Sequence, residues 1–200
     1  TLKAHGTAVG MPSDDDMGNS EVGHNALGAG RIFNQGATLV SNSIHEGNIY
    51  KTPVWADLVN NVKKRQSVFH FIGLLSDGNV HSHIDHLLSM LKVCAREAVK
   101  KVRVHILLDG RDVFERSALT YIAKLEQLIL ELNTLHGVDY CIASGGGRMV
   151  TTMDRYNADW DIVKRGWDAH VLGKARMFTS ATQAVETFYK EDLKANDQYL

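Results

Sequence analysis

Cysteine, an excess of either charge and long apolar runs are all scarce in this sequence. Only Cys94 and Cys141 are cysteines among 200 residues. Two thiols cannot build a disulfide framework, so a reducing compartment, the cytoplasm, is expected. Lys and Arg number 22 against 23 Asp and Glu, a formal charge of −1. That balance excludes a broad electrostatic grip on nucleic acid, which needs a clear basic excess. Ten histidines stand outside the count, so the charge turns positive as pH falls through about 6.5. No apolar run approaches the ~18–20 residues of a membrane span. There is no P-loop and no G-x-G-x-x-G after a strand, so nucleotide binding has no support. Internal repeats and low-complexity segments are absent as well. The chain opens on Thr1 without Met or a leader pattern and closes on Tyr199-Leu200; it reads as part of a longer polypeptide.

What is present is a globular composition, 44% hydrophobic, in a chain long enough to bury about 70% of its unfolded surface. Glycine clusters early, with eight of 17 in the first 50 residues, which predicts loops and tight turns around short helices there. From residue 52 the pattern becomes regular. Thr52-Pro53 opens a helix with Val54, Leu58 and Val62 at helical spacing. Ser67–Leu75, Val102–Leu108 and Val138–Ala143 are short apolar runs rich in β-formers, hence buried strands. Between them, Ile84, Leu87, Leu88, Leu91, Ala95 and Ala98 mark one helix. A second is capped by Ser117 and carries Leu125, Leu128, Ile129, Leu132 and Leu135. A helix over Asp154–Val171 and a last one opening at Thr179 or Ser180 follow. Strands alternating with helices predict an α/β fold: three layers, a mostly parallel sheet with helices on both faces.

In such sheets ligands bind beyond the carboxyl ends of the strands. There the sequence places Ser76-Asp77-Gly78-Asn79-Val80-His81, then Asp109-Gly110-Arg111-Asp112, then Ser144-Gly145-Gly146-Gly147-Arg148, with Met153-Asp154-Arg155 close behind. If the strands are parallel, His81, Arg111, Arg148 and Arg155 converge with Asp112 among them. Arginine presents a planar fork of donors that suits phosphate and carboxylate. Three consecutive glycines would leave backbone N–H groups free to approach an anion. The pattern points to a small, multiply anionic ligand, against the alternative of separately solvated loop charges.

The block Asp14-Asp15-Asp16-Met17-Gly18-Asn19-Ser20-Glu21-Val22-Gly23-His24-Asn25 precedes a short helix. Asn19 is a good N-cap, which sets Ser20 at the first helical position. A phosphoryl group on Ser20 would face the free N–H groups and positive end of that helix. Equally, Asn19 and Ser20 could serve only to cap it, with the Asp run a solvated turn. The Gly18-to-Gly23 spacing is one residue too long for a nucleophile elbow, and no triad is visible for a hydrolase. The run His81-Ser82-His83-Ile84-Asp85-His86 offers metal ligands, but His83 and His86 fit the exposed first turn of the next helix better. Cys94, on a helix face, and Cys141, within a strand, read as buried, inert thiols.

Together these segments resemble the 2,3-bisphosphoglycerate-independent phosphoglycerate mutases. The matching stretches are HGTAVGMPSDDDMGNSEVGHNALGAGRIF at 5–33, IGLLSDGNVHSH at 72–83, RVHILLDGRDV at 103–113, IASGGGRMVTTMDRYNADW at 142–160, VKRGWDAHVLG at 163–173 and KANDQYL at 194–200. The resemblance runs through the whole chain in order, and the GGGRM form is most similar to the plant and trypanosomatid branch. It implies that Ser20 takes up the phosphoryl group and ligates one of two divalent metals, usually manganese, with 2,3-bisphosphoglycerate not required. By the same resemblance His81, Arg111, Arg148 and Arg155 hold 3- or 2-phosphoglycerate. Asp112 binds there too and acts as general base. It further implies that residues 1–33 are a fragment of an alkaline-phosphatase-like metal domain and 34–200 a phosphotransferase domain, in a monomeric glycolytic enzyme. Asn79 stands where the family usually has Gly, and Phe114 where many members have Pro. The remaining metal ligands of the family have no counterpart in this sequence.

Overall fold

A computed structural model describes residues 2–152 and 159–200. Three strands, β1 (Phe69–Leu74), β2 (Lys101–Leu108) and β3 (Asp139–Gly147), pair in parallel in the order β1-β2-β3. Parallel neighbours need crossovers, supplied by α4 (Ile84–Arg96) between the first two and α5 (Ala118–His136) between the last two. Both crossovers run in one direction across the sheet, so right-handed connections put both helices on one face, where they touch. Upstream lie α1 (Ser20–Ala29), α2 (Gly36–His45) and α3 (Pro53–Arg65). Downstream come α6 (Arg148–Thr151), α7 (Trp160–His170) and α8 (Ala181–Glu191). The α/β expectation holds, with helices on both faces but unevenly: α6 and α7 cover the second face chiefly over β3. No helix among the described residues is long and apolar enough to cross a membrane.

The main core lies between the sheet and α3, α4 and α5. Val102, Val104, Ile106 and Leu108 point into it from β2 and meet Leu91 and Cys94 of α4 and Ile122 and Leu125 of α5. Alternation along β2 sends Arg103 and His105 to the other face. Each such aliphatic side chain, fully buried, contributes about 1.5–3 kcal/mol. Cys94 is wholly buried as expected, its thiol pushed up to about 12 by that burial, first of all, and by Glu97. Cys141 is only half-buried.

Several local expectations need correction. Ala98, expected on the first crossover helix, lies past the end of α4, exposed and at φ +59°. In α3 the buried residues are Trp55 and Val59, while Val54 and Leu58 are exposed. Trp55 turns the helix by about one residue: its ring sits edge-on against Tyr50 and its indole N–H donates to Glu97 Oε2 at 3.0 Å. On α5, Leu135 lies beyond the core and is exposed. Ser117 does not cap that helix with its side chain; its hydroxyl donates to the Phe114 carbonyl, and Asp197 Oδ2 accepts the N–H groups of Ser117 and Ala118.

A further correction concerns the glycines. β3 does not stop at Ala143. It slips register by one residue between Val104/Ile142 and His105/Ser144, then pairs Gly145, Gly146 and Gly147 with Ile106, Leu107 and Leu108. These glycines are therefore strand, not an anion-binding loop, and the Gly147 N–H is taken by the Leu200 carbonyl at 2.7 Å. Glycine is required by crowding: a Cβ would stand 2.8 Å from Ile106 Cγ1, 2.6 Å from Thr151 Cγ2 and 2.4 Å from the Gln198 backbone, respectively.

Other expectations hold. Thr52 caps α3 with Pro53 at the first position, Asn19 Oδ1 accepts the Val22 N–H at 3.0 Å to start α1 at Ser20, and Ser180 caps α8. The start expected at Asp154 for the seventh helix lies outside the described residues; α7 itself begins at Trp160, behind the cap Asp159. Val9, Met11 and Val22 form a second small apolar cluster, with Ala26 and Ala37 packed on it. The bridge from there to the sheet is α2: Thr38 Oγ1 donates to the Gly10 carbonyl, and Ser41 Oγ pairs with His86 Nε2 of α4 at 2.9 Å.

Candidate functional site

The carboxyl ends of all three strands open on one edge, as parallel pairing demands. There β1 delivers Ser76, β2 Asp109 and β3 Arg148, each buried. Ser76 Oγ donates to Asp109 Oδ2 at 2.5 Å. The other oxygen, Asp109 Oδ1, accepts from the N–H of Arg111 (3.2 Å), the N–H of Asp112 (3.1 Å) and Arg148 Nη1 (3.0 Å). Arg148 Nη1 also reaches Asp112 Oδ2 at 2.7 Å, and His81 Nε2 lies 3.8 Å from that same oxygen. His81, Asp112 and Arg148 thus converge, as the parallel-sheet argument expected.

Burial by itself would raise the Asp109 pKa. Hydrogen bonds from Ser76, the Asp112 and Arg111 amides and Arg148 outweigh it and hold the carboxyl below its usual range. For Arg148, burial disfavours the cation, but hydrogen bonds to Asp112 and Asp109 more than restore it. Its Nε–H is buried without a partner among the described residues.

Arg111 differs from Arg148. Its side chain is exposed, carries no hydrogen bond or ion pair among the described residues, and lines a broad cleft of about 1830 Å³ together with Asp16, Gly78 and Asp112. Arg155 lies outside the described residues. Asp109 and Ser76 were not singled out from the sequence as site residues. The available signal was a carboxylate directly following an apolar strand, which must find several donors if it is buried.

Ser20 heads α1 but makes no hydrogen bond to the His81–Asp112–Arg148 cluster. Its Oγ lies 3.2 Å from His24 Nδ1, which also lies 2.6 Å from the Ser20 carbonyl. A carbonyl can only accept, so Nδ1 carries the proton and the hydroxyl accepts from it. In this arrangement His24 does not take the Ser20 proton. Asn79 Nδ2 donates to Asp16 Oδ1 at 2.8 Å and so ties the acidic block to the loop after β1. Asn79 has φ +56°, the left-handed region, which accounts for an Asn where the resemblance leads one to expect Gly. Phe114, at the other departure, is exposed.

Among the described residues no three His, Cys, Asp or Glu side chains converge as a metal site requires. Ser20 is not joined, among the described residues, by the several ligands that each of a pair of divalent ions needs.

The family model for the BPG-independent PGAM N-terminus matches residues 40–200. The chain belongs to that family. It is 58% identical over 199 residues to a probable 2,3-bisphosphoglycerate-independent phosphoglycerate mutase of Leptospira interrogans, a match covering 100% of this chain and 36% of that protein. Against the 2,3-bisphosphoglycerate-independent phosphoglycerate mutase of Zea mays it is 58% identical over 202 residues, covering 100% of this chain and 35% of the relative. Its fold matches crystal structures of Leishmania mexicana phosphoglycerate mutase at low cobalt concentration, with a TM-score of 0.93 at 52% identity, over 99% of this chain and 36% of that one. The chain thus spans about a third of the length of the relatives it matches.

Proposed function

We propose that this chain is the phosphoglycerate-binding part of a glycolytic isomerase that interconverts 3- and 2-phosphoglycerate through a phosphoserine on Ser20. The observation that carries the reading is the site's division of labour: an Asp109–Arg148–Asp112 hydrogen-bond cluster fixes the strand ends, leaving the Arg111 side chain without a partner among the described residues, over the cleft. A free guanidinium at a rigid rim suits a carboxylate or phosphate. Arg111 grips the anion, Arg148 supports it through its unpartnered Nε–H, and Arg155 joins them. His81 donates a further hydrogen bond. Asp112, shared between Arg148 and His81, takes the proton from the glycerate hydroxyl that receives the phosphoryl group. Ser20, at the positive end of α1, carries the phosphoryl group between transfers.

In this reading residues 1–33 belong to the metal domain and 34–200 to the phosphotransferase domain of a monomeric cytoplasmic enzyme. The parent protein uses two divalent ions, manganese by preference, whose full ligand set is not assembled among the described residues. By itself the chain binds phosphoglycerate without turning it over. Calorimetric titration with 3-phosphoglycerate tests this beside Arg111→Ala and inorganic phosphate. The expected outcome is preference for phosphoglycerate over phosphate, about ten-fold weaker in Arg111→Ala, with no mutase turnover in manganese. Equal affinity for both anions, or an indifferent variant, overturns the reading. An exposed, unpaired side chain can be removed with a stability change within about 0.5 kcal/mol, so loss of binding reports on the site.

A further inference from the structure

The last six residues fold back across the ends of β2 and β3. A short 3-10 turn, Asp197–Tyr199, packs against β3 and α6. The Asp197 side chain is almost completely buried and accepts from Ser117 N (2.9 Å), Ala118 N (2.8 Å) and the Tyr189 hydroxyl. Its own N–H donates to the Glu115 carbonyl at 2.8 Å. Arg116 stacks on the Tyr189 ring, 3.9 Å from its centroid, and donates to the carbonyls of Leu193 and Ala195. The segment is therefore clamped to the start of α5 from both sides.

From that anchor it reaches two loops of the candidate site. Gly110, between Asp109 and Arg111, has φ +61° and no room for a side chain; a Cβ would stand 2.5 Å from Asn196 Oδ1 and 2.9 Å from Asp197 Cβ. On the other loop the Leu200 carbonyl accepts the Gly147 N–H at 2.7 Å, immediately before Arg148. A Cβ on Gly147 would fall 2.4 Å from the Gln198 backbone. One strap thus rests on the residue before Arg111 and on the residue before Arg148. The strap's last residue, Leu200, also packs on the main core.

We propose that Asp197 is a positioning residue of the anion site: it anchors a strap, residues 195–200, that sets the Asp109–Asp112 loop against Arg148. Its hydrogen bonds beyond the strap go to Ser117, Ala118, Tyr189 and Glu115, and to neither Arg111 nor Arg148. It acts through Gly110 and Gly147, by fixing the backbone whose close approach those two glycines permit. The carboxylate suits this, because Oδ2 takes both backbone N–H groups and Oδ1 the hydroxyl, and its charge makes each of these hydrogen bonds stronger than an amide would. The proposal deepens the phosphoglycerate reading and rests on it for its binding arm alone.

The test uses the 200-residue chain with Asp197→Asn and, separately, Tyr189→Phe, which keeps the ring under Arg116. Amide exchange by NMR is followed at Arg111, Asp112 and Gly147, with Val104, Ile122 and Leu125 as core references, beside titration with 3-phosphoglycerate. In Asp197→Asn the three loop amides should exchange about ten-fold faster with the core amides unchanged, and affinity should fall about ten-fold. Tyr189→Phe, which retains both backbone hydrogen bonds, should show a smaller change of the same pattern. Uniform acceleration of loop and core amides would assign Asp197 a merely structural role, and unchanged loop exchange would remove the strap from the site; either overturns the proposal. If the unmodified chain fails to bind 3-phosphoglycerate, the functional reading falls while the exchange data still decide the strap.

Discussion

Arg148 Nη1 lies 2.7 Å from Asp112 Oδ2, and the same nitrogen lies 3.0 Å from Asp109 Oδ1. One arginine thus joins two carboxylates of the loop after β2 to the end of β3. The pairing makes the strand ends a single rigid rim, and it makes Arg148 a structural cation as much as a ligand for substrate. Removing it separates those roles badly, whereas Arg111 separates them well.

Arg148→Ala should be strongly destabilising. The Arg148 and Asp109 side chains are 3% and 2% exposed, so truncation strands a buried carboxylate that loses its cation. Breaking a buried pair in this way costs about 3–5 kcal/mol. Urea denaturation followed by circular dichroism measures it. A loss below about 1 kcal/mol would mean that water reaches Asp109 and that the pair is not structural.

Asn79 offers a test of the link between the acidic block and the loop after β1. Asn79→Ala loses the hydrogen bond to Asp16 and puts a Cβ-bearing residue without a local side-chain acceptor at φ +56°; together these cost about 2 kcal/mol. Asn79→Gly loses the bond but relaxes the backbone, so its stability should stay within about 1 kcal/mol of the parent. Comparing urea midpoints decides. Equal midpoints for the two variants would remove the backbone argument.

The far face of the sheet sets a pH dependence. His70 Nδ1 lies 2.9 Å from His105 Nε2, His105 Nδ1 lies 2.6 Å from Ser144 Oγ, and Ser144 Oγ lies 2.7 Å from His170 Nδ1. Burial, then the neighbouring His70 and His170, holds His105 below its ordinary value, and burial does the same for His170. The unfolded chain therefore binds more protons at these positions than the folded one once pH drops below about 6.5. Stability is fully present above that pH and is lost as pH falls through the lowered folded values. The urea midpoint should fall between about pH 7.5 and 5.5, and His170→Asn should flatten the fall. A midpoint that rises on acidification would reverse the sign and exclude the network as its source. Asp109, held low, adds a loss of the same sign only below the ordinary carboxylate range near 4.

Where the physics is local, the sequence was legible. The strand cores, the crossovers α4 and α5, the caps Asn19, Thr52 and Ser180, and the single edge gathering His81, Asp112 and Arg148 all follow from alternation, helical spacing and parallel pairing. Those depend on a few neighbouring residues and on the handedness of the chain. The α3 face was misread because Trp55 finds Tyr50 and Glu97, and neither partner is visible in a helical repeat. Gly145, Gly146 and Gly147 read as a loop by composition and proved to be strand, since what demands glycine there is the close approach of Ile106, Thr151 and Gln198.

By itself, then, the sequence determined the α/β class, the edge where charge collects and the family to which the chain belongs. Only the tertiary structure decided that Arg148 is buried between two carboxylates while Arg111 has no side-chain partner among the described residues, and that Asp197 rather than Ser117 caps α5. Hydrogen bonds of this kind join residues 36 to 80 positions apart. Which donor satisfies a buried carboxylate depends on what the packed chain brings within about 3 Å of it, and no local pattern encodes that.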